Sequence, residues 1–157
     1  MLATALTLHL LSAVVWVGGM FFAYLALRPA AVEVLEPPPR LTLWVAVFRR
    51  FFPWVWAAVV LLPATGWWMI LSPARFGGLE TAPLYVHVMN GVGTLMILVY
   101  LHVYFAPFAR LRRAVAAEDW PAGGKALGQI RRLVGLNLIL GLLVITVASG
   151  GRYVLGA

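Results

Sequence analysis

The stretch LATALTLHLLSAVVWVGGMFFAYLAL, residues Leu2–Leu27, decides the fold. It contains no Asp, Glu, Lys or Arg. A helix needs roughly 20 apolar residues to cross about 30 Å of hydrocarbon, and this run meets that length. Inside lipid the backbone must bond to itself, so the run reads as a transmembrane helix. A cleaved signal peptide would open with a basic region before a shorter apolar core. Here no Lys or Arg precedes Arg28, so the helix is expected to be retained.

Working outward, three further apolar runs follow at about Phe51–Leu71, Leu84–Phe108 and Leu127–Ser149. Each is long enough to span. The fold class expected is all-α: an integral membrane four-helix bundle forming a single transmembrane domain over residues 1–157. Composition agrees. Hydrophobic residues make up 63% and charged residues 11% of the chain. A soluble domain carries about 25% charged residues, so the apolar surface here has to face lipid. Residues 28–50 hold Pro37-Pro38-Pro39 and then the apolar Leu41–Phe48, which is expected to lie along the interface before helix two. Residues 72–83 form a turn-rich loop with Pro73, Gly77, Gly78 and Pro83.

The formal net charge of +7 is distributed unevenly. Loops one and three, with the start of helix four, carry Arg28, Arg40, Arg49, Arg50, Arg110, Arg112, Arg113, Lys125, Arg131 and Arg132. The other side carries only Arg75 and Arg152. Cytoplasmic loops are enriched in Lys and Arg. This asymmetry predicts a multi-pass protein of the bacterial inner (plasma) membrane with both termini on the periplasmic side. It accounts for the basic charge without nucleic acid, which is not an expected partner. The lipid bilayer is. Redox chemistry would require a redox partner protein. A homodimer stays open, since Gly135 and Gly141 are too generic a spacing to specify one.

With no cysteine in the chain, zinc–thiolate sites, iron–sulfur clusters and cysteine nucleophiles are excluded. No Asp or Glu falls in the four spans. The chemistry-bearing residues inside the membrane are therefore His9, His87 and His102, and such residues mark functional sites by default. At 1.5 Å per residue, His9 lies about 28 Å from the cytoplasmic edge at Arg28, and His87 about 34 Å from Arg110. His102 lies only about 12 Å from that edge. His9 and His87 thus share a level in the outer half of the bilayer, and His102 does not. His9, Ser12, Trp16, Gly19 and Ala23 form one helical stripe, and His87, Asn90, Gly91, Thr94 and Leu98 another.

Two neutral imidazoles at one depth suit the axial positions of haem b. On that reading His9 and His87 hold iron, Gly19 and Gly91 make room for the macrocycle, and Trp16 and Asn90 line the pocket. The plain alternative is a pair of interfacial histidines bonded to water or carbonyls, with His102 near the inner headgroups. Copper competes as cofactor, because thioether and imidazole together suit Cu(I). Its ligands would be His9, His87 and Met89, with His102 a weaker candidate for either metal. Asn137 reads as interhelical hydrogen-bond glue, and Pro53 and Pro63 as kinks.

Leu8-His9-Leu10 followed by Val15-Trp16-Val17-Gly18-Gly19 resembles the opening of the copper-resistance D (CopD) family. It is also similar to HemJ-type protoporphyrinogen oxidases. Arg49-Arg50-Phe51 leading to Thr65-Gly66 resembles the Arg-Phe…Thr-Gly pattern of CopD proteins. Tyr85-Val86-His87-Val88-Met89, with Tyr100-Leu101-His102, resembles the HemJ pattern, although the HemJ-type enzymes carry a lysine where Met89 stands. The HemJ resemblance implies haem b on His9, with electron transfer or tetrapyrrole oxidation as the activity. The CopD resemblance implies copper uptake or tolerance.

Overall fold

The computed structural model of the protein describes residues 1–154, apart from the side chains of Arg152 and Val154. Arg152, one of the two cations counted on the outer side, therefore has its side chain outside the described residues, as does the end of the C-terminus. Among the described residues there is no strand; four long helices account for nearly everything. They are α1 (Leu2–Val34), α2 (Pro37–Leu71), α3 (Leu84–Ala116) and α4 (Trp120–Val154).

All four expected spans are present, and each runs beyond its apolar stretch. α2 and α4 have 35 residues apiece. At 1.5 Å per residue that is about 52 Å, well over the hydrocarbon thickness. The stretch Leu41–Phe48, expected along the interface, is instead the continuous beginning of α2. The reason lies in the Pro37-Pro38-Pro39 run. Proline tolerates the first helical turn, where its missing N–H is no loss, so the run starts the helix rather than delaying it. Pro53 and Pro63 are likewise carried inside α2.

Two π-helical turns interrupt the ladders, at Ala23–Leu27 in α1 and Tyr104–Phe108 in α3. The Arg28 N–H reaches back five residues to the Ala23 carbonyl. Each turn sits at a proline, Pro29 or Pro107, whose ring would clash with a regular α ladder. Both turns lie at the basic end of the bundle.

Only 17% to 28% of the residues in the most apolar stretch of each span are buried within the chain. Val14, Phe22, Val60, Leu98 and Ile139 all point outward. Lipid therefore covers most of this surface. In lipid, burial supplies little drive between helices, so close packing has to hold them. α1 packs along α2, and α3 along α4. α1 and α3 are diagonal; they meet through long side chains rather than close backbone approach, as where Trp16 meets Tyr100 edge-on at 6.1 Å. An aromatic core fills the basic half: Phe52 stacks on Phe48 at 5.1 Å and meets Phe108 edge-on at 4.8 Å. The Tyr100 hydroxyl donates to the Phe52 carbonyl at 3.3 Å.

Gly141 lets α4 approach closely. A Cβ there would meet Val17 Cγ2 at 2.9 Å and Met96 Cε at 3.2 Å. Met96 can yield, but β-branched Val17 is stiff in a helix. Gly141→Val is therefore expected to cost about 1–3 kcal/mol by overpacking. Thermal unfolding in detergent measures it, and an unchanged midpoint would contradict this packing.

Candidate functional site

His9 does not face α3. Its half-buried ring lies over α2, where a Cβ at Gly66 would come within 3.3 Å of His9 Cε1. Glycine at 66 is what leaves room for the imidazole. The neighbouring Thr65 is buried, and its Oγ1 stands 2.9 Å from His9 Nδ1. The Thr65 hydroxyl already donates to the Leu61 carbonyl at 2.5 Å. Its oxygen is then the acceptor toward the imidazole, so Nδ1 carries the proton and donates. In a neutral ring that leaves the lone pair on Nε2. A histidine held through one nitrogen with its other lone pair free is the arrangement of a metal ligand oriented by a neighbouring group. Ser12, one turn along α1, is buried and donates to the Leu8 carbonyl at 2.7 Å. Met69 lies one turn beyond Thr65 on the same buried face of α2.

His87 is exposed near the start of α3, and its Nε2–H donates to the Ala82 carbonyl at 3.2 Å. His9 and His87 are thus engaged by different elements, α2 and the 72–83 loop. Met89 and Asn90 are half-buried on α3 and Gly91 is exposed, with open space where its Cβ would be. His102 is also exposed, so it does not join the interior. Trp16 does line an inner apolar cavity of about 150 Å³, with Gly19 and Asn137. A Cβ at Gly19 would collide with the Phe51 ring, so that space is taken by protein. No histidine lines the cavity. No contact pairs the two rings: His9 is bonded to Thr65 and His87 to the Ala82 carbonyl, so nothing in this arrangement supports haem b. The spans that carry them are diagonal, and equal depth by itself does not make two residues neighbours. Among the described residues, no group of three or more His, Cys, Asp or Glu side chains could hold a metal.

Asn137 is buried in α4 and its Nδ2 donates to the Met96 carbonyl at 3.3 Å, tying α4 to α3. Its Oδ1 has no hydrogen-bond partner among the described residues. Sequence reasoning missed Thr65 as a site residue, although Thr65-Gly66 was part of the resemblance. The signal was available: a hydroxyl beside a glycine on α2, at roughly the depth of His9.

Length, apolar surface and helix packing define a multi-pass membrane protein built as a four-helix bundle with one oriented imidazole between α1 and α2. The chain belongs to the CopD family: the family model for copper resistance protein D matches residues 45–150, most of α2 and all of α3 included. Thr65 and Gly66 lie inside that stretch and His9 lies before it. No curated protein and no solved structure matches the chain.

Proposed function

We propose that this protein handles copper at the outer half of the bacterial inner membrane, with His9 Nε2 as a ligand nitrogen. The observation that carries the reading is the hydrogen bond from His9 Nδ1 to Thr65, which leaves Nε2 as the free donor. Membership of a copper-resistance family supplies the metal. Imidazole and thioether suit Cu(I), and Met69 lies on the same buried face of α2 as Thr65. The absence of carboxylates from the four apolar runs favours a soft ion over a hard one. Copper is cargo here, taken up from the periplasmic side. The basic loops face the cytoplasm and both termini the periplasm, in keeping with ten Lys and Arg on one side against two on the other.

The test is a Cu(I) titration of the purified protein against a competing chelator. Stoichiometric binding is expected, and no binding above the detergent blank would end the proposal. His87→Ala is expected to keep full stoichiometry, since that ring is exposed and held by the Ala82 carbonyl. Loss of binding in His87→Ala would instead revive the pairing of His9 with His87.

A further inference from the structure

At the basic end of the bundle a second cavity of about 230 Å³ opens between α1, α2 and α4. Three arginines from three helices line it: Arg28, Arg40 and Arg131. Trp44 and Trp120 stand beside them. None of the three guanidinium groups has an ion-pair partner among the described residues. Arg28 is half-buried and stacks over the Tyr24 ring, 5.2 Å from its centroid. Arg40 is half-buried and donates weakly to the Leu35 carbonyl at 3.4 Å. Arg131 is exposed. Guanidinium groups gathered without carboxylates repel one another, so the cluster is complementary to an anion, and phosphate matches their fork geometry.

The floor of this cavity is apolar. Ala23, Phe48 and Val134 line both it and the inner cavity, so the two adjoin. The inner cavity reaches as deep as Trp16, twelve residues from Arg28 along α1 or about 18 Å. Half of a 30 Å hydrocarbon core is about 15 Å, so this path spans at least one leaflet. A basic mouth at the headgroup level, aromatic rims and an apolar path of leaflet depth match a head and a tail on one molecule. We infer that the cavity is a binding site for an anionic glycerophospholipid, phosphate on the arginines and an acyl chain along the floor. This site is separate from the copper reading and does not depend on it.

The experiment uses the full chain in detergent, titrated with dioleoyl phosphatidylglycerol while the thermal midpoint is followed. Native mass spectrometry counts the lipids retained. A saturable upward shift and one retained lipid are expected. Arg131→Gln should weaken apparent affinity about fivefold, and the triple variant Arg28→Gln/Arg40→Gln/Arg131→Gln about a hundredfold, by the usual contribution of each cation near a lipid surface. The equal-charge control Arg49→Gln/Arg112→Gln/Arg113→Gln, all exposed positions outside the cavity, should bind as the parent does. The same shift with phosphatidylcholine or inorganic phosphate would overturn the inference. So would equal losses in the control and in Arg131→Gln, a single change that keeps the stacked and half-buried arginines. Retention of phosphatidylglycerol at wild-type affinity by Arg131→Gln would also overturn it.

Discussion

Thr65→Val is expected to weaken Cu(I) binding about 10- to 100-fold, the usual effect of losing a group that orients a metal-bound histidine. His9→Ala is expected to abolish binding. Valine keeps the volume of threonine and removes the oxygen that accepts from His9 Nδ1. The imidazole is then free to rotate and to change tautomer, so Nε2 is no longer presented in one direction. The half-buried ring N–H loses its Thr65 acceptor as well, a destabilisation of about 1 kcal/mol. The two effects separate cleanly. If Thr65 only braces α1 against α2, both variants melt earlier while the folded fraction still binds Cu(I) at parental affinity. That outcome, read by chelator competition at a temperature where both variants are folded, would remove His9 from copper chemistry. Gly66→Val probes the same site by another route, since its Cβ would come within 3.3 Å of the ring.

Phe52→Ala is expected to cost about 3 kcal/mol, the largest loss of stability from a single position in the bundle. Phe52 is 5% exposed and its ring meets Phe48, Tyr100, Tyr104 and Phe108. In a soluble protein the loss combines a transfer and a cavity contribution. In a membrane the transfer part is small, because lipid tails are as apolar as the core. What remains is lost dispersion and edge-to-face contact, about 0.5–1.5 kcal/mol for each well-placed aromatic pair. Unfolding by denaturing detergent measures the change. A loss below about 1 kcal/mol would mean that the aromatic cluster does not hold the bundle together.

Much of the fold was legible in the four apolar runs, because their length against the bilayer admits only helix. Asn137 as interhelical glue was legible for a similar reason: a buried amide in an apolar span has to bond across to a neighbour, and it bonds the Met96 carbonyl. The helix ends were not. Pro37-Pro38-Pro39 resembles a linker in composition, yet proline at a first turn starts a helix, and α2 begins there. Gly19 was read as space for a flat cofactor, and the Phe51 ring occupies that space. A glycine reports that something comes close, not what.

Sequence by itself determined the class of protein and the number of spans, and it gave each polar residue an expected depth, since hydropathy and the 1.5 Å rise act along one chain. Neighbourhood was decided only by the tertiary structure. Depth is one coordinate, whereas contact needs the rotation of each helix and its place in the bundle. With α1 packed along α2 and diagonal to α3, His9 meets Thr65 on α2, and three arginines distant in the chain meet around one cavity.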